Sequence, residues 1–287
     1  MICLSIFAYA FMQKAFLVGI LLALIIPCIG IVIVLKRLSM IGDALAHTSL
    51  AGVATGLIFG FNPVLGAMAA CVAAALGIDA IRKKIPKYAE LAIAVIMSTG
   101  IGLAAVLSGF VKSAASFNSF LFGSIVAVSD FELLLVVIVS LIVLITFVLL
   151  YKELFFIAYD EEAARLAGVP VKTVNFIFTL MTAVTISIAA RTVGALIVSS
   201  MLVIPVACGM QFGRSYRQTV LLSVSFALLF TVAGLVIAYY AGLKPGGTIV
   251  LTGVVCLLLI LAVREAVPKT RGKSVAEAPA NSEDRLA

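Results

Sequence analysis

Nine runs of roughly twenty apolar residues, separated by short loops, constrain this chain more than any other feature. They fall near 15–35, 42–60, 63–80, 91–110, 131–150, 173–190, 193–210, 219–241 and 247–264. About 20 apolar residues let a helix cross the hydrocarbon core of a bilayer. In lipid, only helices and closed barrels satisfy their own backbone hydrogen bonds. The chain is 64% hydrophobic and 11% charged, far from the half-apolar, quarter-charged balance of soluble domains. The expected fold class is therefore an all-α polytopic membrane protein with about nine transmembrane helices. The stretch 117–129 is apolar but short, with Gly123 and Ser124 in its middle, and reads as a re-entrant or interfacial piece. Residues 1–267 form one transmembrane domain in this reading, and 268–287, rich in Pro, Ser, Glu and Lys, read as a disordered tail.

The net charge of +7 does not point to nucleic acid, because basic residues of membrane proteins collect in cytoplasmic loops. With the N-terminus outside, the loops and tail then inside hold sixteen Lys and Arg, and the outside holds only Lys14, Lys112, Arg191 and Lys244. That split predicts an outside N-terminus and a cytoplasmic C-terminus. Cys3, Cys28, Cys71, Cys208 and Cys256 fall singly in apolar stretches with no CxxC spacing. They read as small buried hydrophobes.

Within the second run, Asp43 and His47 interrupt an otherwise apolar helix, and His47 is the only histidine of the chain. Four residues apart, they share one helix face. Ionisable groups inside a span are costly and by default mark a substrate route. A carboxylate beside an imidazole is also a partial ligand set for a borderline divalent metal such as zinc. The alternative is that the two bond only each other or a neighbouring helix.

The loop 151–172 differs from the rest. Asp160, Glu161, Glu162, Ala163, Ala164, Arg165, Leu166, Ala167, Gly168, Val169 and Pro170 read as a short helix of about 160–170. Asp160 is the N-cap, acids fill the first turn, and Gly168 followed by Pro170 stops it. Such a helix at a membrane surface is either a docking element or a plain connector. Pro205 punctuates the seventh run, and Pro245 with Gly246 precedes the ninth. These mark kinks or irregular backbone along a cavity, while Gly52, Gly56, Gly66 and Gly194 suit close helix packing.

Four motifs in order resemble the permease subunits of bacterial ABC importers for zinc, manganese and iron. The first is Gly42-Asp43-Ala44-Leu45-Ala46-His47-Thr48-Ser49-Leu50-Ala51-Gly52-Val53-Ala54, similar to that family's Asp-x-x-x-His helix. The second is Phe120-Leu121-Phe122-Gly123-Ser124, like its extracytoplasmic turn. The third runs from Val193-Gly194 through Ile204-Pro205, and the fourth is Pro245-Gly246-Gly247-Thr248-Ile249-Val250-Leu251. The resemblance implies a homodimer of permeases in the bacterial plasma membrane. It implies two ATPase subunits and an extracytoplasmic metal-binding protein as partners. It further implies that 160–170 is the coupling helix, with Asp160, Glu161, Glu162, Ala163, Ala164 and Gly168 at the ATPase contact. Asp43 and His47 become metal-contacting residues, and Gly194, Pro205, Pro245 and Gly246 pathway or structural positions. The metal is the transported substrate, with no resident cofactor, and the wording of the first motif resembles the zinc members more than the manganese ones.

The chain itself has no phosphate-binding Gly-x-x-x-x-Gly-Lys-Ser/Thr loop. Gly272-Lys273-Ser274 comes nearest, but Val267 stands where the first glycine must be. A transport subunit rather than an enzyme is expected, with ATP hydrolysed by a separate chain. A stand-alone secondary transporter using Asp43 and His47 as a proton relay is the rival reading. An intramembrane enzyme is disfavoured, since there is no His-Glu-x-x-His.

Overall fold

The computed structural model describes residues 9–85, 88–111, 120–121, 123, 128–195 and 197–266. The chain runs through α1 (Ala10–Leu35), α2 (Ile41–Phe59), α3 (Pro63–Lys84), α4 (Ala89–Ser108) and α5 (Asp130–Leu149). It continues through α6 (Tyr151–Tyr159), α7 (Glu161–Leu166) and α8 (Val171–Ala189), which ends in a π turn (Ala190–Gly194). It closes with α9 (Val198–Phe212), α10 (Tyr216–Ala241) and α11 (Pro245–Ala266). Among the described residues, eight helices are long and apolar enough to cross a membrane, and α9 is a shorter apolar helix of 15 residues. Eight membrane-length helices and one short one thus stand where nine spans are expected. The seventh run starts at 198 rather than 193 because its beginning is taken into the π turn. Of 117–129, only Phe120, Leu121, Gly123, Val128 and Ser129 lie among the described residues, and the tail 268–287 lies outside them.

Local chemistry places the helix ends. Pro63 opens α3 at a position where its missing N–H is no loss, and Asn62 Oδ1 accepts from Val64 N at 2.9 Å. Ser129 and Glu132 form a reciprocal capping box on α5. Arg37 adopts φ +57 directly after α1. There Leu38 N donates to Ile33 O and Arg37 N to Val34 O, the paired bonds of a Schellman turn.

The centre of the bundle is α1, α2 and α8, while α4, α5 and α11 carry exposed apolar faces. In lipid no hydrophobic force draws helices together, so close approach at small residues does the work. A Cβ on Gly52 would collide with Gly66 O, and one on Gly30 with Leu202 O. These approaches clamp α2 to α3 and α1 to α9. Cys28, Cys71 and Cys208 are buried free thiols and Cys256 is half-buried, in keeping with packing roles; Cys3 lies outside the described residues.

Candidate functional site

Asp43 stands in the first turn of α2, where the helix dipole favours a carboxylate. His47 follows one turn later. Both are half-buried, while Ala44, Leu45 and Ala46 between them are buried. Neighbouring hydroxyls do not use the pair: Thr48 Oγ1 donates to Ala44 O and Ser49 Oγ to Ala46 O. Asp43 and His47 make no hydrogen bond or ion pair to each other or to any other described residue. Two other helical acids differ, whereas Glu153 Oε2 in α6 is buried and likewise without a partner among the described residues. Asp79 is held by Lys83 at 2.5 Å and Glu132 by Arg191 at 2.7 Å. Asp43 thus keeps a carboxylate that no cation neutralises among the described residues.

Two helices close on this segment. A Cβ on Gly42 would lie 2.7 Å from Ser199 Oγ and 2.8 Å from Leu202 Cδ1, so the start of α9 packs on the start of α2. A Cβ on Gly100 would lie 2.9 Å from Thr48 Cα, which brings in α4. Ser199 Oγ is buried without a hydrogen-bond partner among the described residues. Ser199 lies within the third motif, but the sequence assigns it no role of its own there. No group of three or more His, Cys, Asp and Glu is gathered for a metal among the described residues. Asp43 and His47 alone would make only half of a tetrahedral ligand set.

The other predicted positions separate into two places. At the end of the bundle where α1 begins, Gly194 takes φ +116 in the π turn, a conformation closed to most side chains. Gly123 packs on the Val193–Gly194 backbone, Gly246 packs on Val193 O, and Ala195 N donates to Phe120 O at 3.4 Å. The second, third and fourth motifs thus meet at one turn. Pro245 is the first residue of α11, and Pro205 is buried within α9.

At the opposite end lies α7. Asp160 Oδ1 accepts from Glu162 N at 3.0 Å and Ala163 N at 2.9 Å, as an N-cap should. Ala164 is fully buried, Ala163 is half-buried, and Glu161, Glu162 and Arg165 are exposed. Gly168 ends the segment at φ +85. Flanking it, Tyr159 is 82% and Leu166 84% exposed, an apolar pair beside an acidic turn.

A bundle of eight membrane-length helices among the described residues, with a short capped helix at one end, defines a multi-pass α-helical membrane protein. The chain belongs to the ABC 3 transport family, whose sequence profile matches residues 8–264. It is 34% identical over 259 residues to a Treponema pallidum protein named "Probable metal transport system membrane protein", covering 90% of this chain and 97% of that one. It is 31% identical to a manganese transport system membrane protein of Listeria monocytogenes, covering 88% and 90%. It is 27% identical to a high-affinity zinc uptake system membrane protein of Haemophilus influenzae, covering 88% and 97%. The solved structure of PsaBC from Streptococcus pneumoniae in complex with Fab superposes with a TM-score of 0.79 at 28% identity, covering 88% of this chain and 91% of that one. The chain is thus a membrane permease of the metal ABC importer family. Relatives named for manganese stand as near as a relative named for zinc, so the lean of the first motif towards zinc members is not carried by these comparisons.

Proposed function

We propose that this chain is the membrane-spanning subunit of an ATP-driven importer that brings a divalent transition metal through the plasma membrane into the cytoplasm. The observation that carries the reading is the Asp43–His47 face, unpartnered among the described residues and set in a span where such groups mark a route. Two ligands per chain become four across a two-fold axis, so a homodimer completes the site. Carboxylate and imidazole replace part of the ion's water shell, and the site binds weakly enough to release inward, as any conduction path must. ATP hydrolysis belongs to a partner chain, and an extracytoplasmic binding protein delivers the metal.

The coupling role of α7 is supported by its exposed Tyr159 and Leu166 beside the acidic first turn. The sixteen-to-four distribution of Lys and Arg supports placing α7 in the cytoplasm. Zinc is the first choice of metal, from the single imidazole and the wording of the first motif. Manganese is the second, because carboxylates suit it and relatives at 27–31% identity are named for it. Uptake of radioactive zinc and manganese by cells with and without this protein tests both. The importer reading is overturned if neither of these metals, nor iron, enters in a protein-dependent way. Uptake by vesicles that lack any ATPase subunit would favour a secondary transporter instead.

A further inference from the structure

Lys36, Asn175 and Glu161 come from three separate elements and form one hydrogen-bonded line. Lys36 Nζ donates to Asn175 Oδ1 at 2.6 Å, and Asn175 Nδ2 donates to Glu161 Oε1 at 3.3 Å. Asn175 is 8% exposed in the second turn of α8, so packing fixes its amide and both ends of that amide are used. Glu161 is the first residue of α7. Lys36 is largely desolvated, and burial lowers its pKa to about 8; Arg82 adds to the lowering, while Glu161 and Asp79 oppose it. A buried cation costs desolvation that an apolar residue would avoid.

Lys36 is also the C-cap of α1, and no slack follows it. Lys36 N, Arg37 N and Leu38 N donate back to Val32, Val34 and Ile33, and Ile41 N donates to Leu38 O at 2.9 Å. Then α2 begins, with Asp43 in its first turn and Gly42 lodged against Ser199 and Leu202. A shift of Lys36 is therefore passed to the start of α2 rather than absorbed by a loop.

We propose that Lys36 and Asn175 are positioning residues that carry movements of α7 to the helix bearing Asp43 and His47. The inference rests on the reading of α7 as the ATPase contact. Neither residue touches metal or ATPase; each acts through its neighbours, and together they make ATPase docking and metal contact one mechanical unit.

The test uses the permease purified with its ATPase subunit and reconstituted in vesicles with the metal-binding protein. The readout is metal moved per ATP hydrolysed, with Zn²⁺ and Mn²⁺ as probes. N175D keeps an acceptor for Lys36 but sets a carboxylate against Glu161. It is expected to lower metal moved per ATP at least tenfold while the ATPase subunit stays bound. In an E161Q background the same change re-forms the bond with donor and acceptor exchanged, and it should then cost less than twofold. Comparing the two backgrounds cancels any direct effect of E161Q on docking. K36M, close to lysine in shape, should lower the ratio in the same way. Equal effects of N175D in both backgrounds, or a K36M complex that couples normally, would overturn the proposal. A wild-type complex that moves no metal overturns the importer reading and this inference together. A transporting wild type with indifferent link variants overturns the inference alone.

Discussion

Arg191 Nε donates to Glu132 Oε1 at 2.7 Å, with the two side chains only 16% and 10% exposed. The guanidinium also lies over the Phe120 ring, 4.4 Å from its centroid. Glu132 Oε2 accepts from Ser129 N, so one carboxylate caps α5 and holds the π turn. R191M strands that carboxylate in a buried place, at a cost of roughly 3 kcal/mol. Thermal unfolding in detergent should show a clear fall for R191M, a smaller one for E132Q, and partial recovery in R191M with E132L. Equal stability of R191M and wild type would show that the pair holds nothing.

Asp43→Asn and His47→Ala should each lower metal uptake tenfold or more with expression and ATPase association near normal. An amide cannot replace the charge of the Asp43 carboxylate, and no second imidazole exists in the chain. Both side chains are half-buried and unpartnered among the described residues, so neither truncation leaves a large cavity or an orphaned ion. Normal uptake by a well-expressed His47→Ala variant removes it from the metal path.

Gly168→Val should disturb the end of α7, because φ +85 is strained for a β-branched residue by of order 1 kcal/mol or more. No neighbour crowds that Cβ, so the effect is conformational and local. Together with Glu161→Lys and Glu162→Lys, it should reduce ATPase co-purification while the bundle stays folded. Unchanged co-purification and unchanged metal-stimulated hydrolysis would make α7 a connector only.

Stability should depend on pH through Lys36. Burial lowers its pKa from 10.5 to about 8 in the folded protein, with Glu161, Asp79 and Arg82 the charged groups around it. Between those two values the unfolded chain holds a proton that the folded one has lost, so stability rises with pH there. Below about 8 both states carry the charge and the contribution is flat. Melting temperature followed from pH 7.5 to 10 should climb more in wild type than in K36M. Parallel curves would remove Lys36 as the cause.

In a variant otherwise free of cysteine, a thiol placed at Leu166 should react with impermeant reagent only from the cytoplasm. One at Lys244 should react only from outside. The opposite pattern would invert the orientation drawn from the basic residues.

Much was written in linear order, because spans, caps and charge bias are local. Twenty apolar residues dictate a spanning helix wherever they occur. Asp160 and Gly168 set the ends of α7 through bonds a few residues long, and four-residue spacing puts Asp43 and His47 on one face. The tertiary structure decided what depends on helices meeting. It paired Glu132 with Arg191 and left Asp43 without a cation among the described residues. It brought Gly123, Gly194 and Gly246 to one turn and lined up Lys36, Asn175 and Glu161. Those partners lie tens of residues or more apart in sequence in nearly every case. Nothing in an apolar helix announces which neighbour it will touch, because in lipid the choice is made by fit between backbones at small residues rather than by hydrophobicity.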